Sequence, residues 1–313
     1  MLSRRLLRIK VVKAIYAHLQ SNSDNLIASQ KSLMSSIDKS YDLYFLLLQL
    51  PVAMADHARR LQEIAKEKHL ATAEDLNPNT RFVDSALVHL IENSDLLNDH
   101  MSRRSLGWSQ HPELIKLLYN QLSESGKFQE YISNPTSRNI KEDLALMEHF
   151  YVTLLQECDE VEDAVESMSM DLCGDLPYVL PLVMRTLSNV RASHTELKIV
   201  SQFKGDDDRD FVRSLFERSL VNYAKYQLSV ESFMRNWDLE RVVLIDNMIL
   251  VVAMAELIHF PAIPTRVTMD EYIEISKFYS TPNSSTFVNG ILDRMTDSLT
   301  QQGLIQKSGR GLI

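Results

Sequence analysis

From Leu239 to Ile258 the chain is apolar on nearly every side, with Val242, Val243, Ile245, Ile249, Leu250, Val252, Ala253 and Leu257 in one run. A helix without a polar face belongs at the centre of a bundle. Asp246, Asn247 and Glu256 interrupt the run, and a buried carboxylate needs a partner. Asp238 is a suitable N-cap, and Trp237 and Val242 have the spacing of a hydrophobic staple. Two shorter helices are predicted between Pro264 and Gly303. Thr268 and Glu271 stand three apart ahead of Ile273 and Ile275, the spacing of a capping box. The second helix follows Pro282, Asn283 and Ser284, carries Phe287, Ile291, Leu292 and Met295 on one side, and stops at Gly303.

The N-terminal pattern is a helix over about Ser3–Gln20, capped by Ser3. Leu7, Val11, Ala14 and Ile15 fall on one stripe, with Arg5, Ile9, Lys13 and Tyr16 roughly opposite. Between this helix and residue 205 the same periodicity predicts helices over 26–50, 52–70, 80–101 and from Pro112 to about Gly126. A longer amphipathic segment spans 139–171, and another helix follows Pro177. Short breaks at Asn77-Pro78-Asn79, Asn134-Pro135 and Gly174 suit antiparallel helix packing. Lys204-Gly205-Asp206-Asp207-Asp208 marks a boundary and places acids at a helix start. The expected fold class is all-α: helical bundles with an additional inserted helical region. Three segments are expected: a basic first helix over 1–20, an extra helical region over 21–205 and a C-terminal bundle over 206–313.

Composition agrees with that class. Only 8 glycines and 9 prolines occur in 313 residues, too few for a sheet-and-turn fold or disordered linkers. Cys158 and Cys173 form no metal-ligand spacing and read as reduced thiols, which points to a cytoplasmic protein. No apolar run reaches 18 residues, so no membrane span is expected.

Charge adds one feature. The formal net charge is −9, yet residues 1–20 hold Arg4, Arg5, Arg8, Lys10 and Lys13 with no acid. An acidic body repels polyanions, so nucleic-acid contact would concentrate on that helix. Three uses fit its basic face: a solvated surface, a targeting peptide, or a phosphate contact with Tyr16 as a stacking ring. No phosphate-cradling glycine loop, nucleophile elbow or kinase set is present, and the nine histidines include no H-x-x-x-H pair. Neither an enzyme, a cofactor nor a metal site is expected.

Several motifs occur in order along the C-terminal part: W-x-L-E-R-V-x-x-I-D-x-x-I-L from Trp237, A-E-L from Ala255, I-P-x-x-V from Ile263, D-E-Y-I-E-I-S-K-F-Y from Asp270 and F-V-N-G-I-L-D from Phe287. Together with S-R-R-L-L-R-I-K-V-V-K-A-I-Y at Ser3–Tyr16, they resemble the NusB family of transcription antitermination factors. The resemblance implies an all-α, non-catalytic, RNA-binding transcription regulator. Its implied partners are single-stranded boxA-like RNA of ribosomal transcripts, the small-subunit ribosomal protein NusE and the RNA polymerase elongation complex.

Carried over by position, the resemblance implies RNA contacts at Arg4, Arg5, Arg8, Lys13, Tyr16, Tyr279, Asn283 and Phe287, and a partner contact at Asp246. Leu6 and Leu7 replace two of the family's usual basic positions. The chain is also more than twice a typical member's length, with the excess between Tyr16 and about Phe211. The alternative expectation is a helical protein–protein adaptor that keeps a NusB-like scaffold without RNA binding. A third is the NusB-like accessory domain of RNA cytosine methyltransferases, which no nucleotide-cofactor motif here supports.

Overall fold

Residues 1–21, 25–136, 138–156, 158–234 and 243–312 are described by a computed structural model. They contain helices and no strand. The chain divides into two compact units, one formed by residues 1–2 and 38–202, the other by residues 3–37 and 203–313. Helix α1 (Arg4–Gln20) lies in the second unit, and the division falls inside α2 (Leu26–Lys66).

The first unit continues through α3 (Ala73–Leu76), α4 (Ala86–Glu92), α5 (Asp95–Arg104) and α6 (Pro112–Glu124). It is completed by α7 (Gly126–Ser133), α8 (Ile140–His149), α9 (Asp159–Met168) and α10 (Leu176–Ser188). Two expectations are corrected here. The pattern broken at Pro51 is a single helix, because Pro51 lies inside α2. Proline removes the N–H that would have bonded to the carbonyl four residues earlier, that of Leu47. The fully buried Tyr151 hydroxyl donates to that carbonyl instead, at 2.6 Å. Burial raises the Tyr151 phenol well above its ordinary range, so it stays a neutral donor. Tyr151→Phe should therefore cost about 1–3 kcal/mol, the penalty of an orphaned buried carbonyl, in a urea unfolding titration.

The second correction concerns the continuous helix expected over 139–171. α8 closes through a π turn at Phe150–Leu154, in which the Leu155 N–H donates to the Phe150 carbonyl. The chain restarts at α9 with Asp159, Glu160 and Glu162 at its positive end. Buried polar groups in this unit are paired. Tyr44 accepts from the Val200 N–H and shares a 2.6 Å hydrogen bond with Thr186. Tyr131 donates to Asp143, which also accepts from the Leu87 N–H.

The second unit holds α11 (Asp206–Val221), α12 (Tyr223–Phe233), α13 (Leu244–His259), α14 (Thr265–Tyr279) and α15 (Ser284–Gln301). α13 is its hub. Every residue from Met248 to Leu257 is buried, and α1, α11, α12, α14 and α15 all pack against it. The apolar periphery read in the sequence dictates that place, since each side of the helix must find an apolar neighbour. The Trp237–Val242 staple and the Asp238 cap lie outside the described residues.

α15 ends in a Schellman motif, as the glycine predicts. Gly303 has φ +68°, its N–H donates to Thr300, and the Leu304 N–H donates to Leu299. The tail then returns to the α13–α14 turn, where the Ser308 N–H and Lys307 Nζ donate to the Pro261 and Phe260 carbonyls. A methyl group on Gly311 would meet the Pro261 oxygen at 1.9 Å, so only glycine fits that approach.

Candidate nucleic-acid interface

Ser3 begins α1 by accepting from the Leu6 N–H at its hydroxyl. The helix then packs against α11, α13 and α14. Its polar face is not an open basic surface. Besides Leu7, Val11 and Ile15, the structure buries Leu6, Arg8, Ile9, Lys10 and Val12.

Arg8 is the centre of a buried network. Its Nε and Nη2 donate to the two Glu256 oxygens at 2.8 Å each, and both side chains are almost wholly enclosed. Glu256 also accepts from Thr268 Oγ1 at 2.9 Å and from the Tyr272 hydroxyl at 3.0 Å. This carboxylate is the polar exception that the α13 pattern required to have a partner. Burial by itself would lower the Arg8 guanidinium, but its hydrogen bonds to Glu256 and that residue's charge hold it above the usual range. Burial and the same carboxylate push the Tyr272 phenol well up. Arg8 thus serves as an internal strut, and its expected direct contact with RNA does not fit a side chain enclosed in this way.

The same network corrects the capping box. α14 begins at Thr265, so Thr268 is interior and fully buried, and its hydroxyl donates to Glu256 instead of accepting from the Glu271 N–H. Glu271 turns to the other arginines. It accepts Arg5 Nε and Nη2 at 2.8 and 3.1 Å and lies 3.7 Å from Arg8 Nη1. Arg4 donates to Asp208 at 2.9 Å, one of the acids placed by sequence at the start of α11. Arg4 and Arg8 also stand over the Phe211 ring, 5.0 and 5.3 Å from its centroid. Arg4 and Arg5 keep part of each side chain exposed.

Beyond these ion pairs the surface changes character. Lys13 Nζ lies 4.9 Å from the centroid of Tyr279, at the end of α14. Tyr16, one turn further along α1, is exposed. Tyr279 leads into the α14–α15 turn, where Asn283 is exposed. Phe278, missed by the sequence reading, is 70% exposed beside Tyr279. Its signal was present: it stands off the face that Tyr272, Ile275 and Ser276 bury. A cation, phenol and phenyl rings and an amide therefore share one edge. These groups can neutralise phosphate, stack on bases and donate to base edges.

Two further expected site residues lie inside. Phe287 is buried on α15 with Ile291, Leu292 and Met295. Asp246 is also buried. Its Oδ2 accepts from Ser284 Oγ at 2.7 Å, joining the starts of α13 and α15, and Oδ1 has no hydrogen-bond partner among the described residues. As placed, both support the edge from behind. Among the described residues no group of three or more His, Cys, Asp or Glu is arranged to hold a metal ion. No described helix is long and apolar enough to cross a membrane.

Residues 182–297 match the model of the NusB family, so the chain carries a NusB family domain there. A "Transcription antitermination protein NusB" of Salinibacter ruber is 43% identical over 105 residues, covering 34% of this chain and 66% of that protein. The protein of the same name from Chloroherpeton thalassium is 36% identical over 105 residues, covering 34% and 50%. That of Natranaerobius thermophilus is 34% identical over 91 residues, covering 29% and 66%. The chain thus spans between half and just under two thirds of the relatives it matches. No solved structure matches it.

Proposed function

With a NusB family domain at residues 182–297 as the premise, we propose that this protein is a non-catalytic transcription antitermination factor that binds RNA. Its ligand is single-stranded boxA-type RNA of ribosomal transcripts, held together with ribosomal protein NusE at the RNA polymerase elongation complex. The observation that carries the reading is the cation and aromatic edge formed by Lys13, Tyr16 and Tyr279 against that domain. Lys13 neutralises phosphate, the exposed rings stack on bases, and Asn283 donates to a base edge. Arg4 and Arg5 exchange their carboxylate partners for phosphates, whereas Arg8, Asp246 and Phe287 hold the edge in place. The assignment of residues 1–20 and 206–313 to the NusB-like part, and of 21–205 to an added region, belongs to the same proposal. The family match reaches upstream of 206, to residue 182.

One observation favours the adaptor reading: Asp208, Glu271 and Glu256 already neutralise Arg4, Arg5 and Arg8. Filter binding to a ribosomal leader RNA, with and without NusE and over a salt series, separates the two. RNA binding predicts a log–log slope of about −0.7 per phosphate neutralised on a single strand. Undetectable binding, or affinity indifferent to salt, leaves the adaptor reading standing.

A further inference from the structure

The unit formed by residues 1–2 and 38–202 has a cleft of its own, about 910 Å³ in volume. α4, the start of α8 and the segment after α10 line it. That volume lies within the ~300–1,000 Å³ usual for small-molecule sites. Its floor is apolar, with Ala86, Leu90 and Ile140, and Arg138, Lys141, His89 and His194 stand among its lining residues. No carboxylate is among the described lining residues, although the chain as a whole carries an excess of acids.

The neighbouring acids engage the cations weakly or from behind. Arg138 Nη1 is 3.4 Å from Asp84, an exposed pair of little strength, while Nη2 donates to Thr80 at 2.9 Å. His89 Nδ1 lies 3.4 Å from Glu92. His194 accepts the Arg191 N–H at Nδ1, so the neutral imidazole carries its proton on Nε2 and is a donor there. Asn139 caps α8 by accepting from the Lys141 and Glu142 N–H groups, which places the positive end of that helix at the cleft.

From this combination we infer that the cleft binds a nucleotide unit: phosphate on Arg138, Lys141 and His194, and the base over the apolar floor. Such a unit is either a free mononucleotide or one residue of an RNA strand. The inference stands apart from the RNA edge on the other unit.

Calorimetric titration with uridine 5′-monophosphate and anisotropy with a labelled single-stranded RNA of twelve nucleotides distinguish the sources. Arg138→Ala combined with Lys141→Ala should weaken the mononucleotide at least about tenfold if it binds free, or the RNA alone by that factor if a strand fills the cleft. Ala192→Glu, which adds a carboxylate to an exposed turn at the rim, should do the same and guards against a folding defect in the double variant. Lys13→Glu, on the other unit, should leave the mononucleotide affinity unchanged, so failure of the RNA edge and failure of the cleft are read separately. Neither probe binding, or the cleft variants binding both probes like the unaltered protein, would overturn the inference.

Discussion

Glu256→Ala should destabilise the unit containing α13 by about 3–5 kcal/mol, the cost of leaving a buried charge without its counter-ion. The substitution removes both 2.8 Å hydrogen bonds from Arg8 and strands the Thr268 and Tyr272 hydroxyls. Glu271, 3.7 Å from Arg8 Nη1, compensates in part, which places the effect toward the lower end. Replacing the pair together, with Arg8→Met and Glu256→Leu, should recover much of the loss, because an apolar pair needs no desolvation of charge. Thermal and urea unfolding of the three variants measure this. A loss for Glu256→Ala below about 1 kcal/mol would mean that the pair is open to water. The buried strut also bears on mutational tests of function. Arg8→Glu would abolish RNA binding by unfolding the seat of α1, so it says nothing about phosphate contact.

Lys13→Glu combined with Tyr16→Ala should lower RNA affinity about 100-fold, from one reversed phosphate contact and one lost stacking platform worth ~1–3 kcal/mol. Lys13 and Tyr16 are at least partly exposed, so the fold is spared. The main structural loss is the 4.9 Å contact of Lys13 with Tyr279, about 0.5–1 kcal/mol. Anisotropy with boxA-type RNA, alongside circular dichroism, reads both effects. Unchanged affinity with an intact helical spectrum would remove this edge from the RNA path and favour the adaptor. Phe278→Ala supplies the gradation: an exposed ring beside Tyr279 should add a smaller loss if a base stacks there.

The extent to which the sequence was legible differs by residue. Ser3, Gly303 and the Phe287–Met295 stripe were readable because each acts through its own local backbone or its helical register. Thr268 was misread for the opposite reason. Its spacing to Glu271 satisfies a local rule, but a buried carboxylate on another helix makes a stronger claim on its hydroxyl. Pro51 was likewise read as a local break, and a tyrosine 100 residues later satisfies the carbonyl it leaves.

The candidate site shows the same division. Periodicity alone placed Arg5, Lys13 and Tyr16 opposite the apolar stripe and gave no sign that Arg8 is enclosed. Phe278 was passed over because a phenylalanine beside a buried tyrosine reads as core until its exposure is known.

By itself the sequence determined the all-α class, the central place of α13, the helix ends and the segregation of basic charge into the first helix. These follow from hydrophobic period, capping chemistry and composition, which act over a few residues. Only the tertiary structure decided which of those charges face water. Asp208, Glu256 and Glu271 lie some 200 residues or more from the arginines they bind, and folding brings them onto one side of α1. Burial then makes one arginine a strut, partial exposure leaves two as surface ion pairs, and Lys13 with Tyr16 and Tyr279 remains as the edge that can meet RNA.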